Sequence, residues 1–130
     1  MSKSYRELFI LQGSHLFFLI PLLLSVYIQI YWYMFVISIM LIFSFLYHGT
    51  KEKLFSQIDR VCAISLIVSN VVLCLLGALW SVHFLLVCVL IPTSFYFLFK
   101  KDRYYWNHSL WHIVSAYICV FSLLTYFVGL

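Results

Sequence analysis

The stretch "KKDRYYWNHSLWHIVSAYICVFSLLTYFVG", Lys100 to Gly129, runs from three basic residues through an aromatic cluster into an apolar segment. From Trp106 to Gly129 no Asp, Glu, Lys or Arg interrupts it. A membrane helix needs about 20 such residues. The rest of the chain has the same character: of 130 residues, 65% are hydrophobic, 21% aromatic and only 9% charged. A soluble domain of this size cannot bury that much apolar surface in one core, so the expected solvent is lipid.

Polar punctuation divides the chain into five runs: Leu8–Gln29, Tyr31–Gly49, Leu54–Leu79, Ser81–Phe99 and Trp106–Gly129. Lipid admits only helices or closed barrels, and no run alternates as a barrel strand does. The expected fold is therefore an all-α integral membrane protein. It forms one domain over residues 1–130, a bundle of about five transmembrane helices. The links before Tyr31 and around Trp80 are short enough for tight helical hairpins. The first run is long enough to span and carries no small-residue cleavage site, so it reads as a retained helix rather than a signal peptide.

Five spans put all eight basic residues on one side: Lys3 and Arg6, then Lys51, Lys53 and Arg60, then Lys100, Lys101 and Arg103. This positive-inside pattern makes that side cytoplasmic, with the N-terminus inside and the C-terminus outside. Tyr31, Trp32, Tyr33 and Trp80 suit the outer interfacial belt; Tyr5, Tyr104, Tyr105 and Trp106 suit the inner one. The formal charge of +4 is no nucleic-acid signal, because the basic residues sit at span ends with acids among them. Cys62, Cys74, Cys88 and Cys119 lie singly in apolar segments and read as small buried hydrophobes.

His108 and His112 begin the last run. Four residues apart on a helix, they share a face and could chelate one metal ion. The second run ends with Ser44 and His48, again four apart, and the third opens with Asp59. All five residues belong near the cytoplasmic face. Three histidines, a carboxylate and a hydroxyl can make a zinc site with one position left open. Each also has a plainer reading. Ser44 can bond a carbonyl of its own helix, Asp59 can pair with Arg60 or Lys53, and the histidines can sit in the headgroup region or hydrogen-bond neighbouring helices.

The set S-x3-H, Asp at the start of the next span and H-x3-H in the last span resembles the CREST superfamily of membrane hydrolases. That group includes the alkaline ceramidases, the adiponectin-receptor and haemolysin III proteins, and the myomaker-like proteins. "SFLYHGTKEKLFSQID" is most similar to the alkaline ceramidase pattern, down to the places of Thr50 and Gln57; "HSLWHI" resembles the ceramidase and myomaker-like branches. The resemblance implies zinc held by His48, His108 and His112, with Asp59 and Ser44 holding or activating the water. It implies hydrolysis of a lipid amide, ceramide-like, or of an ester. The match covers the ends of three spans, and the family usually has seven spans against the five counted here. A chain this small can need a homo-oligomer or a ligand lipid to close its bundle.

Gln12, Ser14 and His15 in the first run can line the cavity or bond neighbouring helices. His83 falls on the outer side, too far away to ligate. Pro21 and Pro92 are expected to bend their helices. Asn107 caps its helix or orients His108. Rival readings are a non-enzymatic zinc-stabilised receptor, fusion-type or accessory protein, and a haem protein using His15 and His112. The expected partner is a membrane lipid, sphingolipid or acyl lipid, with no nucleic acid. The short chain without long loops suggests a bacterial inner membrane.

Overall fold

The computed structural model describes the chain from Lys3 to Leu130, the Lys3 side chain lying outside the described residues. Its regular elements are all helical. They are α1 (Lys3–Ser14), a 3₁₀ turn (His15–Phe18), α2 (Leu19–Tyr27), α3 (Tyr31–Thr50), α4 (Lys53–Leu76), α5 (Val82–Phe99) and α6 (Tyr104–Gly129). Five segments are long and apolar enough to cross a membrane: Ser4–Tyr27, which takes in α1, the 3₁₀ turn and α2, and then α3 to α6. The shortest, α5, has 18 residues, a rise of about 27 Å, close to the ~30 Å of a hydrocarbon core.

The helices begin and end within a few residues of the expected runs. The first starts earlier, because "KSYRE" continues the helix outward from Leu8. The third stops at Leu76, where Gly77 turns extended and the Ala78 N–H donates to the Thr125 carbonyl at 2.9 Å. A Cβ on Gly77 would overlap the Thr125 carbonyl, and one on Gly129 would lie 2.7 Å from the Gly77 carbonyl carbon. Only glycine lets α4 and α6 meet this closely.

The first span is not one continuous α-helix. Pro21 cannot donate and its ring crowds the Phe17 carbonyl, and the chain tightens into the 3₁₀ turn just before it. By contrast, α5 continues through Pro92. The N-cap of α5 is Ser81, whose Oγ accepts from the Phe84 N–H at 3.3 Å. Asn107 neither caps α6 nor bonds His108; its amide donates to the Asp102 carbonyl and fastens the turn leading into the helix.

Helix α6 is the hub. It packs against α1, the 3₁₀ turn, α2, α4 and α5, while α3 packs against α2 and α4. Its buried positions are mostly small or polar: Asn107, Ser109, Ala116, Cys119, Ser122 and Thr125. Small side chains let neighbouring backbones come close. Tyr33, Ile37, Met40, Leu66, Leu73 and Leu123 complete the apolar core around it. A polar thread crosses that core: the Tyr33 hydroxyl donates to Asn70 Oδ1, and Asn70 Nδ2 to Cys119 Sγ at 3.6 Å.

Outside the core the bundle is greasy. Phe9, Leu23, Leu75 and Leu85 are 73%, 68%, 67% and 62% exposed. Water would penalise such a surface, whereas lipid does not. Helix α5 has its packing on α6, and no comparable contact joins it to α4. A cleft is left between α4 and α5, with α6 as its floor.

Candidate metal centre

The end of the bundle opposite Gly77 and Gly129 gathers the start of the 3₁₀ turn, the last turn of α3 and the first three turns of α6. The α1 start, the α3–α4 link and the α5–α6 link lie at this same end, so the basic residues collect around it. Four histidines meet there. The His48 ring centroid is 5.4 Å from His15, 5.5 Å from His112 and 5.0 Å from His108. His15 and His112 are 4.2 Å apart, and His108 and His112 are 4.6 Å apart.

Within this cluster His15, His48 and His112 are buried and each offers a nitrogen within 4.8 Å of the others'. Three buried histidines this close could hold a metal ion. Of the three ligands implied by the family resemblance, His48 and His112 belong to this group. His108 stands beside it, partly exposed, with its ring stacked on Tyr104 at 5.2 Å and against Trp111 at 5.1 Å. His15, expected to line a cavity or bond a neighbouring helix and offered as a haem ligand in a rival reading, is brought into the group because the 3₁₀ turn packs on α6. The sequence held one clue to this: "GSH" is a polar interruption in an apolar run, its histidine six residues before a proline that tightens the backbone.

Both ring nitrogens of His48 are buried and have no hydrogen-bond partner. The residue is 1% exposed, out of reach of bulk solvent. A buried polar atom left unpaired costs about 1–3 kcal/mol. An imidazole with two such atoms, facing two others, is placed as a ligand would be. The donor set is all nitrogen, which suits zinc and its divalent neighbours.

The remaining polar groups hold the cluster. Ser14 Oγ is 2.6 Å from the Leu11 carbonyl and 2.8 Å from His112 Nδ1. His15 Nδ1 is 3.1 Å and 3.2 Å from the Leu11 and Gln12 carbonyls, and its Nε2 is 2.8 Å from Ser44 Oγ. Ser44 therefore bonds across to the first span rather than back into its own helix. Asp59 interacts with Ser44. Gln12 Nε2 lies 3.5 Å from the Phe45 carbonyl, tying α1 to α3 at the rim. His83 lies at the far end of α5, stacked on Phe121 at 6.4 Å.

Ser44, Asp59 and His112 also line the head of an apolar cavity of about 470 Å³. It runs along the cleft between α4 and α5, past Ser94 and Ser115, whose hydroxyls are 3.5 Å apart, to Leu79 and Phe84 near the opposite end. The volume is that of a small-molecule pocket. Its walls are mostly hydrocarbon, with Asn70, Ser94 and Ser115 along its length, and the Ser44 hydroxyl, the Asp59 carboxylate and the His112 imidazole lie at its head. Ile67 on α4 and Ile91 on α5 line it while 56% and 41% exposed, so the cavity opens sideways, through the face where lipid would lie. Comparison of the chain with protein-family models, with curated proteins and with solved structures gives no match.

Proposed function

We propose that this chain spans a membrane five times and is a zinc-dependent hydrolase of the CREST type, cleaving the amide or ester bond of a membrane lipid. The observation that carries the reading is His48. Its buried, unpartnered ring lies among three other imidazoles, and the group adjoins an apolar cavity headed by Ser44, Asp59 and His112. The exposed hydrocarbon of the helices and the basic residues at the histidine end support insertion with that end cytoplasmic.

Zinc, when bound, polarises a carbonyl and lowers the pKa of a water. The protein's own groups do the rest. Asp59, at the cavity head, takes the proton of the attacking water on a carboxylate oxygen and returns it to the leaving amine or alkoxide as the C–N or C–O bond breaks. Ser44 Oγ, which meets His15 and interacts with Asp59, donates to the oxygen on which negative charge develops. The cavity holds the acyl chain along α4, α5 and α6 and keeps bulk water from the reacting carbonyl. An amide of the ceramide kind is the first substrate to test, because the sequence resemblance is strongest there.

The experiment is acyl-chain release by the purified, zinc-loaded protein from ceramide, acyl-ester and phospholipid substrates in detergent. Hydrolysis of a ceramide or acyl ester that stops on chelation and returns with zinc supports the reading. A zinc-loaded protein inactive on the whole panel favours a non-enzymatic membrane protein stabilised by its metal.

A further inference from the structure

Resting on the metal-site reading above, we propose that the third histidine ligand is His15 rather than His108, with Ser14 and the Leu11 carbonyl as the groups that set the ligand tautomers. The H-x3-H spacing points to His108 and His112. The hydrogen bonds point elsewhere.

A carbonyl oxygen only accepts. His15 Nδ1 faces two of them, Leu11 and Gln12, so Nδ1 carries the proton and the lone pair of the neutral ring lies on Nε2. Ser14 has one hydroxyl proton, and the Leu11 carbonyl 2.6 Å away takes it. Ser14 Oγ then accepts from His112 Nδ1 at 2.8 Å. This fixes the proton of His112 on Nδ1 and its lone pair on Nε2. Metal-binding histidines are commonly held this way, the remote nitrogen donating to a carbonyl or hydroxyl while the other faces the ion. His48 completes the group with nitrogens that nothing else engages.

His108 lacks this support. Among the described residues its ring makes aromatic contacts only, with no hydrogen bond to fix a tautomer, and it is partly exposed where His15 is 3% exposed. The assignment also bears on Ser44. The His15 Nε2 lone pair serves either the Ser44 hydroxyl or a metal. A metal there leaves the Ser44 proton for Asp59 or for substrate.

The test uses the full-length protein loaded with Co²⁺, whose spectrum reports its ligands. His15→Cys and His108→Cys are each loaded and scanned. His15→Cys should gain a thiolate-to-cobalt charge-transfer band in the near ultraviolet, and His108→Cys should keep a spectrum like the wild type. Ser14→Ala keeps all the histidines and is the milder variant; it should weaken Co²⁺ and Zn²⁺ binding by about 10–100-fold, the usual scale for losing such support. A charge-transfer band in His108→Cys with none in a folded, cobalt-loaded His15→Cys would overturn the assignment and leave the metal site standing. Unchanged affinity in Ser14→Ala would overturn the tautomer argument. A wild type that takes up neither ion would overturn the underlying reading as well.

Discussion

The hydroxyl of Ser44 lies 2.8 Å from Nε2 of His15, joining α3 to the first span one turn from His48. Asp59 also interacts with this hydroxyl. This places two groups with different work at the head of one cavity. Asp59→Asn keeps the shape and can still hydrogen-bond, yet cannot take a proton. It should retain zinc and fold while lipid hydrolysis falls by ~10² or more. Ser44→Ala should lose a comparable factor if its proton steadies the oxyanion, and less if it only orients His15. Rates and zinc content measured on the same samples decide it. Full activity in a zinc-loaded Asp59→Asn would remove Asp59 from the chemistry.

The helical bundle was legible because long apolar runs without strand alternation leave little choice but a helix. Polar residues mark the ends of those runs within a few residues. His48, Ser44, Asp59 and His112 were legible as a group because depth from a helix end is simple counting. The place of His15 was not. A 3₁₀ turn brings it against His112 and His48, and helical spacing from Leu8 cannot report that change of pitch. Nor did the sequence reveal the cleft. Composition says that α5 is apolar all round, but not that it leans chiefly on α6.

Topology is checked with single cysteines at Lys51, Tyr31 and Leu130 in a background without the native four. In the proposed orientation, with the basic histidine end inside, Lys51 faces the cytoplasm. An impermeant thiol reagent on intact cells should label the positions at Tyr31 and Leu130 and spare the one at Lys51. The reverse labelling would turn the bundle over.

Gly77 and Gly13 make a matched pair. A Cβ at Gly77 runs into the Thr125 backbone, whereas one at Gly13 meets nothing within 4 Å. Gly77→Ala should therefore lower stability by about 1–3 kcal/mol, as overpacking does. Gly13→Ala, inside α1, should be neutral or stabilise by up to ~1 kcal/mol. Thermal or denaturant unfolding in detergent measures both. Equal stability of the two variants would mean that α4 and α6 do not meet closely at Gly77.

The cleft between α4 and α5 is tested by filling it. Ile67→Trp and Ile91→Trp add bulk from opposite walls of the cavity, away from the histidines. Hydrolysis of a long-chain lipid should fall by about 10-fold or more with zinc retained, because the acyl chain no longer seats. A short-chain ester should be affected less. If both variants hydrolyse long-chain lipid at the wild-type rate, the substrate does not lie along this cleft.

The buried, unpartnered ring of His48 makes metal content the most direct measurement of all. Zinc is assayed on purified wild type and on His48→Ala, with thermal stability recorded on the same material. A metal centre requires stoichiometric zinc in the wild type. It also requires a large loss of zinc in His48→Ala, with a lower unfolding temperature, because metal bound only to the native state adds to its stability. Wild type free of zinc and other transition metals after loading, or His48→Ala with its zinc intact, would contradict the metal centre outright.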